Sequence, residues 1–140
     1  MASVFTRIIR GELPGRFVWK DEKAVAFLTV APIRKGHTLV VPREEIDHWL
    51  DLPPDLAQHL TLVAQSVGKA IQRAFSPVKV GMMIAGLEVP HVHLHVTPIW
   101  NLDDLSFRNA QHDVDPAELD DAAAKIRQAL RELGYAQVAD

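Results

Sequence analysis

Between the paired prolines Pro53 and Pro54 and the single Pro77, the residues Leu56, Leu60, Val63, Val67 and Ile71 recur every three or four positions. That spacing predicts one long amphipathic helix, because a 3.6-residue period gathers these side chains into a single apolar stripe. Proline is tolerated in the first turn, where its missing N–H has no intrahelical partner, and Pro77 forbids continuation. The stripe must be buried against something, and the flanking segments offer short strands. Phe17 to Lys20 and Val25 to Val30, separated by the polar turn Asp21, Glu22 and Lys23, read as a hairpin. After the loop around Pro32 and Gly36, His37 to Val41 reads as a third strand, whose continuation in a sheet interior Pro42 disfavours. Beyond the helix, Val78 to Ala85 and His91 to Ile99 form a second pair of strands, joined by Gly86, Leu87, Glu88, Val89 and Pro90. The expectation is an α+β fold with about five antiparallel strands and one long core helix.

The two ends add helices. Ser3 to Arg10 places Val4, Phe5, Ile8 and Ile9 at helical spacing before Gly11, Pro14 and Gly15 interrupt it. Near the C-terminus Asp115 suits an N-cap, with Pro116 at the first helical position and Glu118 three residues after the cap. Leu119, Ala122, Ile126, Leu130 and Leu133 then form a stripe, and Gly134 is placed to end the helix in a left-handed conformation. This stripe is expected to cover the domain or a partner subunit. A length of 140 residues suits one domain over 1–140, with a core of about 3–100 and a C-terminal extension whose helix spans about 115–134. With 48% apolar and 24% charged residues, the chain has the means to bury a real core. A formal charge of −3 carries no basic excess that would mark a nucleic-acid binder. The absence of cysteine excludes disulfides and thiolate metal sites. No uninterrupted apolar run reaches the roughly 20 residues of a membrane span, so a cytoplasmic protein without membrane contact is expected.

The chemistry concentrates in His91-Val92-His93-Leu94-His95-Val96-Thr97-Pro98. In a strand this alternation projects all three imidazoles from one face while Val92, Leu94 and Val96 enter the core. Three crowded histidines are costly unless they exchange hydrogen bonds or bind something. The isolated histidines His48, His59 and His112 are by contrast read as structural or merely exposed. A neutral imidazole attacks an electrophilic phosphorus through one ring nitrogen while the other, still protonated, donates a hydrogen bond that fixes the tautomer. The middle residue has a neighbour on both sides, which makes His93 the candidate nucleophile and His91 and His95 its supporting donors.

The pattern His-x-His-x-His resembles the signature of the histidine triad (HIT) family of nucleotide hydrolases and transferases. Ile8-Ile9-Arg10-Gly11-Glu12-Leu13-Pro14, Ala26-Phe27-Leu28 and Gly36-His37-Thr38-Leu39-Val40-Val41-Pro42 resemble its other landmarks in order, over roughly residues 3 to 100. The resemblance implies a HIT-like fold that dimerises into a ten-stranded sheet. It implies a nucleotidyl-histidine intermediate at the α-phosphate of nucleoside phosphoramidates, dinucleoside polyphosphates or related conjugates, with no metal or other cofactor. It further implies His37 as a fourth active-site histidine and a site for a purine nucleotide or nucleotide conjugate. That site would be lined by Val4, Phe5, Ile8, Phe27, Leu28 and Val30, with Thr29, Glu88 and Val89 alongside; plain core packing is the competing explanation for the apolar set.

The sequence departs from its relatives at three places. Thr29 stands where many carry an acidic residue that grips both ribose hydroxyls, and one hydroxyl cannot accept a bidentate pair. Glu88 lies in a stretch where many carry a glycine-rich loop ending in a hydroxyl residue. Facing inward it would repel phosphate or attract an amine leaving group; facing solvent it would leave only backbone donors. Ser3 and Thr6 stand where some relatives have zinc-binding cysteines, and Glu45 stands near an expected histidine, so soft-ligand zinc binding is not expected. Two other readings remain at this point, a nucleotide-binding sensor with little turnover and a zinc enzyme built on the same histidines.

Overall fold

The computed structural model describes all of residues 1–140. Its first helix, α1 (Val4–Ile9), is capped by Ser3, whose hydroxyl accepts the Thr6 amide at 3.0 Å. Strands β1 (Phe17–Lys20) and β2 (Ala24–Leu28) form the expected hairpin. Its turn is held by Asp21, whose Oδ1 accepts the amides of Lys23 and Ala24 at 2.8 Å each. Strand β3 is Thr38–Pro42, reached through Gly36 at φ +101°. Glycine is required there twice over: the backbone is left-handed, and a Cβ would lie 2.6 Å from the Phe75 ring. The long helix α2 runs Pro54–Phe75 and stops at Ser76, itself left-handed, just before Pro77. Strands β4 (Lys79–Met83) and β5 (Leu94–Ile99) complete an antiparallel sheet of order β1-β2-β3-β5-β4, and α3 (Pro116–Glu132) closes the chain. This is the expected five-stranded α+β architecture.

The two faces of the sheet are covered unequally. Ala24, Ala26, Leu28, Val40, Leu94 and Val96 meet α2 through Leu60, Val63, Val67 and Ile71, and α3 through Ala122, Ile126 and Leu130. Each fully buried Leu, Ile or Val among them contributes roughly 1.5–3 kcal/mol of transfer free energy. The opposite face carries Val25, Phe27, Leu39 and Val41, met only by Phe5 and other α1 residues and by Phe17 and Val89. The β1 edge is covered by the chain end, since Lys20 N–H donates to Gln137 and Ala139 N–H to Val18 at 2.9 and 3.0 Å. The β4 edge carries exposed Val78 and Met82 alongside it. No helix is long and apolar enough to cross a membrane.

Three expectations are corrected. Strand β5 begins at Leu94, so His91 and His93 precede it. Pro42 has no amide to extend the ladder beyond Val40 and Leu94, its carbonyl takes the His91 ring instead, and the Val92 amide turns away to Ile46. The alternation nevertheless survives, with Val92, Leu94 and Val96 all buried. At α3, Asp115 caps the amide of Ala117, while the Glu118 side chain pairs with Lys35 at 2.9 Å and closes no capping box. Leu133 falls at the C-cap and is exposed, so the stripe ends at Leu130, with Gly134 left-handed as expected. The stripe itself covers α2 and the sheet of its own chain.

Candidate active site

On the thinly covered face, a cavity of about 410 Å³ opens between α1, the end of β2, the 85–89 loop and Phe107. His93 and His95 line it. His91 and His37 do not; they stand behind those two, in contact with them, and each is almost wholly buried. All four sequence-predicted histidines are therefore brought together.

Hydrogen bonds assign every tautomer, once burial has made the rings neutral. Burial, reinforced by the charge each would place on its neighbours, lowers the pKa of His37 to about 4 and that of His95 to about 3. Burial likewise lowers His91 and His93, with hydrogen bonds to the Pro42 and His91 carbonyls opposing the shift. The Ile33 amide donates to His37 Nδ1 at 3.1 Å, so the His37 proton sits on Nε2 and is donated to His95 Nδ1 at 2.9 Å. His95 must then carry its own proton on Nε2. On the other flank, His91 Nε2–H donates to the Pro42 carbonyl at 2.8 Å, and His93 Nδ1–H donates to the His91 carbonyl at 2.8 Å. That leaves a free lone pair on His93 Nε2. No buried side-chain nitrogen or oxygen lacks a partner, so the two remaining Nε2 atoms open onto the cavity. The site thus presents one nucleophilic nitrogen beside one N–H donor, with ring centroids 4.8 Å apart.

Every residue expected around a nucleotide lines this cavity: Val4, Phe5, Ile8, Phe27, Leu28, Thr29, Val30, Glu88 and Val89. Phe5 is buried yet reaches the site, its ring edge-on to His93 at 4.8 Å and to Phe27 at 5.5 Å. Core packing and cavity lining are therefore both true of it. Val30 at 71% exposure and Leu87 at 94% form an apolar rim. The Thr29 hydroxyl accepts the Ala31 amide at 3.2 Å, which keeps its own proton available. Glu88 is exposed at the mouth, and its charge favours protonation of His93. Sequence reasoning missed Arg16, Leu87 and Phe107. Phe107 packs edge-on to His95 at 4.8 Å from a turn 12 residues downstream, where an aromatic among polar residues was the sole signal. Trp100 does not line the cavity; it lies under the Arg34 guanidinium at 4.9 Å. His48 caps the Leu50 amide and His59 pairs with Asp21, both away from the site.

The positions that answer to a zinc site in some relatives do come together here, but with other chemistry. The His91 Nδ1 lies 2.7 Å from Ser3 Oγ and 3.4 Å from Thr6 Oγ1, and Thr6 Oγ1 donates to Glu45 Oε1 at 2.6 Å. The only soft donor is one imidazole nitrogen already hydrogen-bonded, and no three His, Cys, Asp or Glu side chains are arranged to hold a metal. These residues do not fit zinc.

Comparison with known proteins accords with this geometry. The chain is 30% identical over 99 residues to the adenosine 5'-monophosphoramidase hnt1 of Schizosaccharomyces pombe, covering 70% of this chain and 74% of that one. Its fold is similar to a zinc-bound histidine triad family protein from Mycobacterium smegmatis, with a TM-score of 0.82, 29% identity and coverage of 95% and 96% of the two chains. It is also similar to a hypothetical histidine triad nucleotide-binding protein from Sulfolobus tokodaii, with a TM-score of 0.81, 30% identity and 92% of each chain covered. A profile of the HIT domain matches residues 10–101, which hold the histidine row and most of the cavity wall, and the chain belongs to the histidine triad family.

Proposed function

We propose that this protein is a metal-independent nucleotide hydrolase or nucleotidyl transferase acting at the α-phosphate of nucleoside phosphoramidates, dinucleoside polyphosphates or related conjugates. The observation that carries the reading is the single free lone pair on His93 Nε2, set beside the His95 Nε2–H donor at the floor of an apolar cavity. His93 Nε2 attacks phosphorus, the bond to the leaving group breaks, and the departing amine or phosphate takes its proton from solvent. His93 Nδ1–H stays on the His91 carbonyl and spreads the imidazolium charge. The His95 N–H stabilises the non-bridging oxygens as charge builds, an effect worth roughly 3 kcal/mol for one well-placed donor. Water or another phosphate then expels Nε2 and releases the nucleotide. Phe5, Ile8, Phe27 and Val30 accept the base, with Val4, Leu28 and Val89 completing the apolar wall.

A zinc enzyme on these histidines is disfavoured by their hydrogen bonds: both His91 ring nitrogens are engaged, and only one nitrogen in the group has an open lone pair. A homodimer sharing one sheet is supported by the free β4 edge and the exposed Val78 and Met82. A cytoplasmic protein of one domain over 1–140 remains part of this reading.

The test is release of adenosine monophosphate from an adenosine phosphoramidate and from a dinucleoside polyphosphate, with His93→Ala and with added chelator as controls. Release that survives chelator and vanishes in the variant is the expected result. No release from either compound by the unaltered protein would move the nucleotide-binding sensor ahead.

A further inference from the structure

The flank of the site formed by Ser3, Thr6 and Glu45 holds more hydrogen-bonding capacity than capping one short helix requires. The protons can be assigned in turn. The Pro42 carbonyl can only accept, so His91 Nε2 carries the hydrogen and His91 Nδ1 needs a donor. Two hydroxyls stand within reach, Ser3 Oγ at 2.7 Å and Thr6 Oγ1 at 3.4 Å. Thr6 spends its single proton on Glu45 Oε1 at 2.6 Å. The same carboxylate oxygen accepts the Ser3 amide at 2.7 Å, and Ser3 Oγ accepts the Thr6 amide at 3.0 Å. The Ser3 hydroxyl has two acceptors in reach, Thr6 Oγ1 at 3.3 Å and His91 Nδ1 at 2.7 Å, and the shorter contact directs its proton to His91. These bonds, the Thr6 hydroxyl first, hold the Glu45 carboxyl at about 2, far below the usual carboxylate range, so it stays an acceptor at neutral pH. Around the His91 ring the groups are Ser3, Thr6, the Pro42 carbonyl, the edge of Phe5 at 5.9 Å and, one residue on, His93; Glu45 is the one formal charge acting on it.

We infer that Ser3, oriented by Glu45 and Thr6, is a positioning residue for the nucleophile: it locks His91 as the Nε2–H tautomer pinned to Pro42, and thereby fixes the His91 carbonyl that holds the proton of His93 on Nδ1. The lock matters because β5 does not begin until Leu94, so no strand ladder restrains the His91 backbone. The His91 amide on the Val89 carbonyl and the Val92 amide on the Ile46 carbonyl, at 2.8 and 2.7 Å, hold the peptide, and the ring bonds of His91 add the ties that set where its carbonyl meets the His93 ring. Without Ser3, a buried nitrogen loses its donor, and His91 is free to change tautomer and release Pro42. The His91 carbonyl then moves, and His93 distributes its proton between Nδ1 and Nε2, where a protonated Nε2 cannot attack phosphorus. The inference rests on the nucleotidyl-transfer reading above for its kinetic consequence and on geometry alone for its tautomers.

The experiment therefore uses two readouts on the full chain. Long-range nitrogen-15 to proton spectra of the histidine rings report which nitrogen is protonated, and steady-state release from an adenosine phosphoramidate over a range of concentrations reports kcat and KM. The unaltered protein should show His91 protonated on Nε2 and His93 on Nδ1. In Ser3→Ala the His93 signals should move towards a tautomer mixture and kcat should fall roughly tenfold with little change in KM, while Ser3→Thr, which keeps the hydroxyl, should restore both; Glu45→Gln should give the same shift in weaker form. Unchanged ring signals in Ser3→Ala overturn the inference whatever the rate does, and so does a loss of thermal stability with kcat intact. If the unaltered protein releases no nucleotide, the functional reading fails, and the spectra still decide whether Ser3 sets the tautomer.

Discussion

The two faces of the sheet are made from alternate residues of the same strands, yet they are built to different ends. On the face under α2 and α3, Ala24, Ala26, Leu28, Val40, Leu94 and Val96 meet only apolar partners. On the other, Val25, Phe27, Leu39 and Val41 share a thin cover with His95, and the row continues into His93 and His91. Period-two alternation makes this division possible, since neighbouring residues serve opposite faces. The sealed face holds most of the apolar burial, which lets the open face carry four neutral imidazoles and a cavity. Stability and chemistry should therefore respond to different substitutions even one residue apart.

The largest separation is expected at His93→Ala. Nucleotide release should fall by about 10⁴-fold or more, as when a nucleophile is removed elsewhere, while unfolding loses only about 1 kcal/mol, from the hydrogen bond His93 makes to the His91 carbonyl. A much larger loss of stability would show the open face to be as structural as the sealed one. Across the sheet, Leu60→Ala should cost about 2–5 kcal/mol in equilibrium unfolding and leave kcat of the folded fraction near that of the unaltered protein; Leu60 is fully buried between α2 and the sheet. A collapse of kcat with the fold retained would join the two faces instead of dividing them.

Acid should probe the open face first, before the lowered carboxylates such as Asp21 and Asp104 begin to protonate. Between pH 6.5 and about 4 the unfolded chain binds protons that folded His37 and His95 refuse, with folded values of about 4 and about 3. Stability contributed by these neutral rings is thus present above pH 6.5 and lost on acidification, by about 1.4 kcal/mol per pH unit for each histidine. Urea titrations at pH 7.5, 6 and 5 check the slope, and His37→Gln should make it shallower. An unaltered slope would assign the acid sensitivity to other groups. The smallest effect is expected at Thr29→Asp. A carboxylate there can accept two ribose hydroxyls, and roughly tenfold tighter nucleoside monophosphate binding should follow by calorimetry. No gain, or equal gain for a 2′,3′-dideoxy nucleotide, would remove Thr29 from ribose recognition.

Much of this division was legible before folding. The spacing from Leu56 to Ile71 marked the helix that seals one face, and the alternation from His91 to Pro98 marked which side chains would share the other. Less legible was where β5 begins, because that depends on the missing amide of Pro42, a residue about 50 positions away, meeting the His91 ring. Phe107 escaped notice because neither spacing nor composition links it to His95. The grouping of Ser3, Thr6 and Glu45 was suggested by resemblance, but neither the place of His91 beside them nor their hydrogen bonds were.

By itself, the sequence determined the element order, the apolar stripes and the presence of an imidazole row, because period and proline placement act locally on the backbone. Only tertiary structure decided which ring nitrogen carries each proton. That choice depends on acceptors and donors supplied by Ile33, Pro42 and Ser3, which lie 4, 49 and 88 residues along the chain from the histidines they bond, and on the burial that keeps the rings neutral.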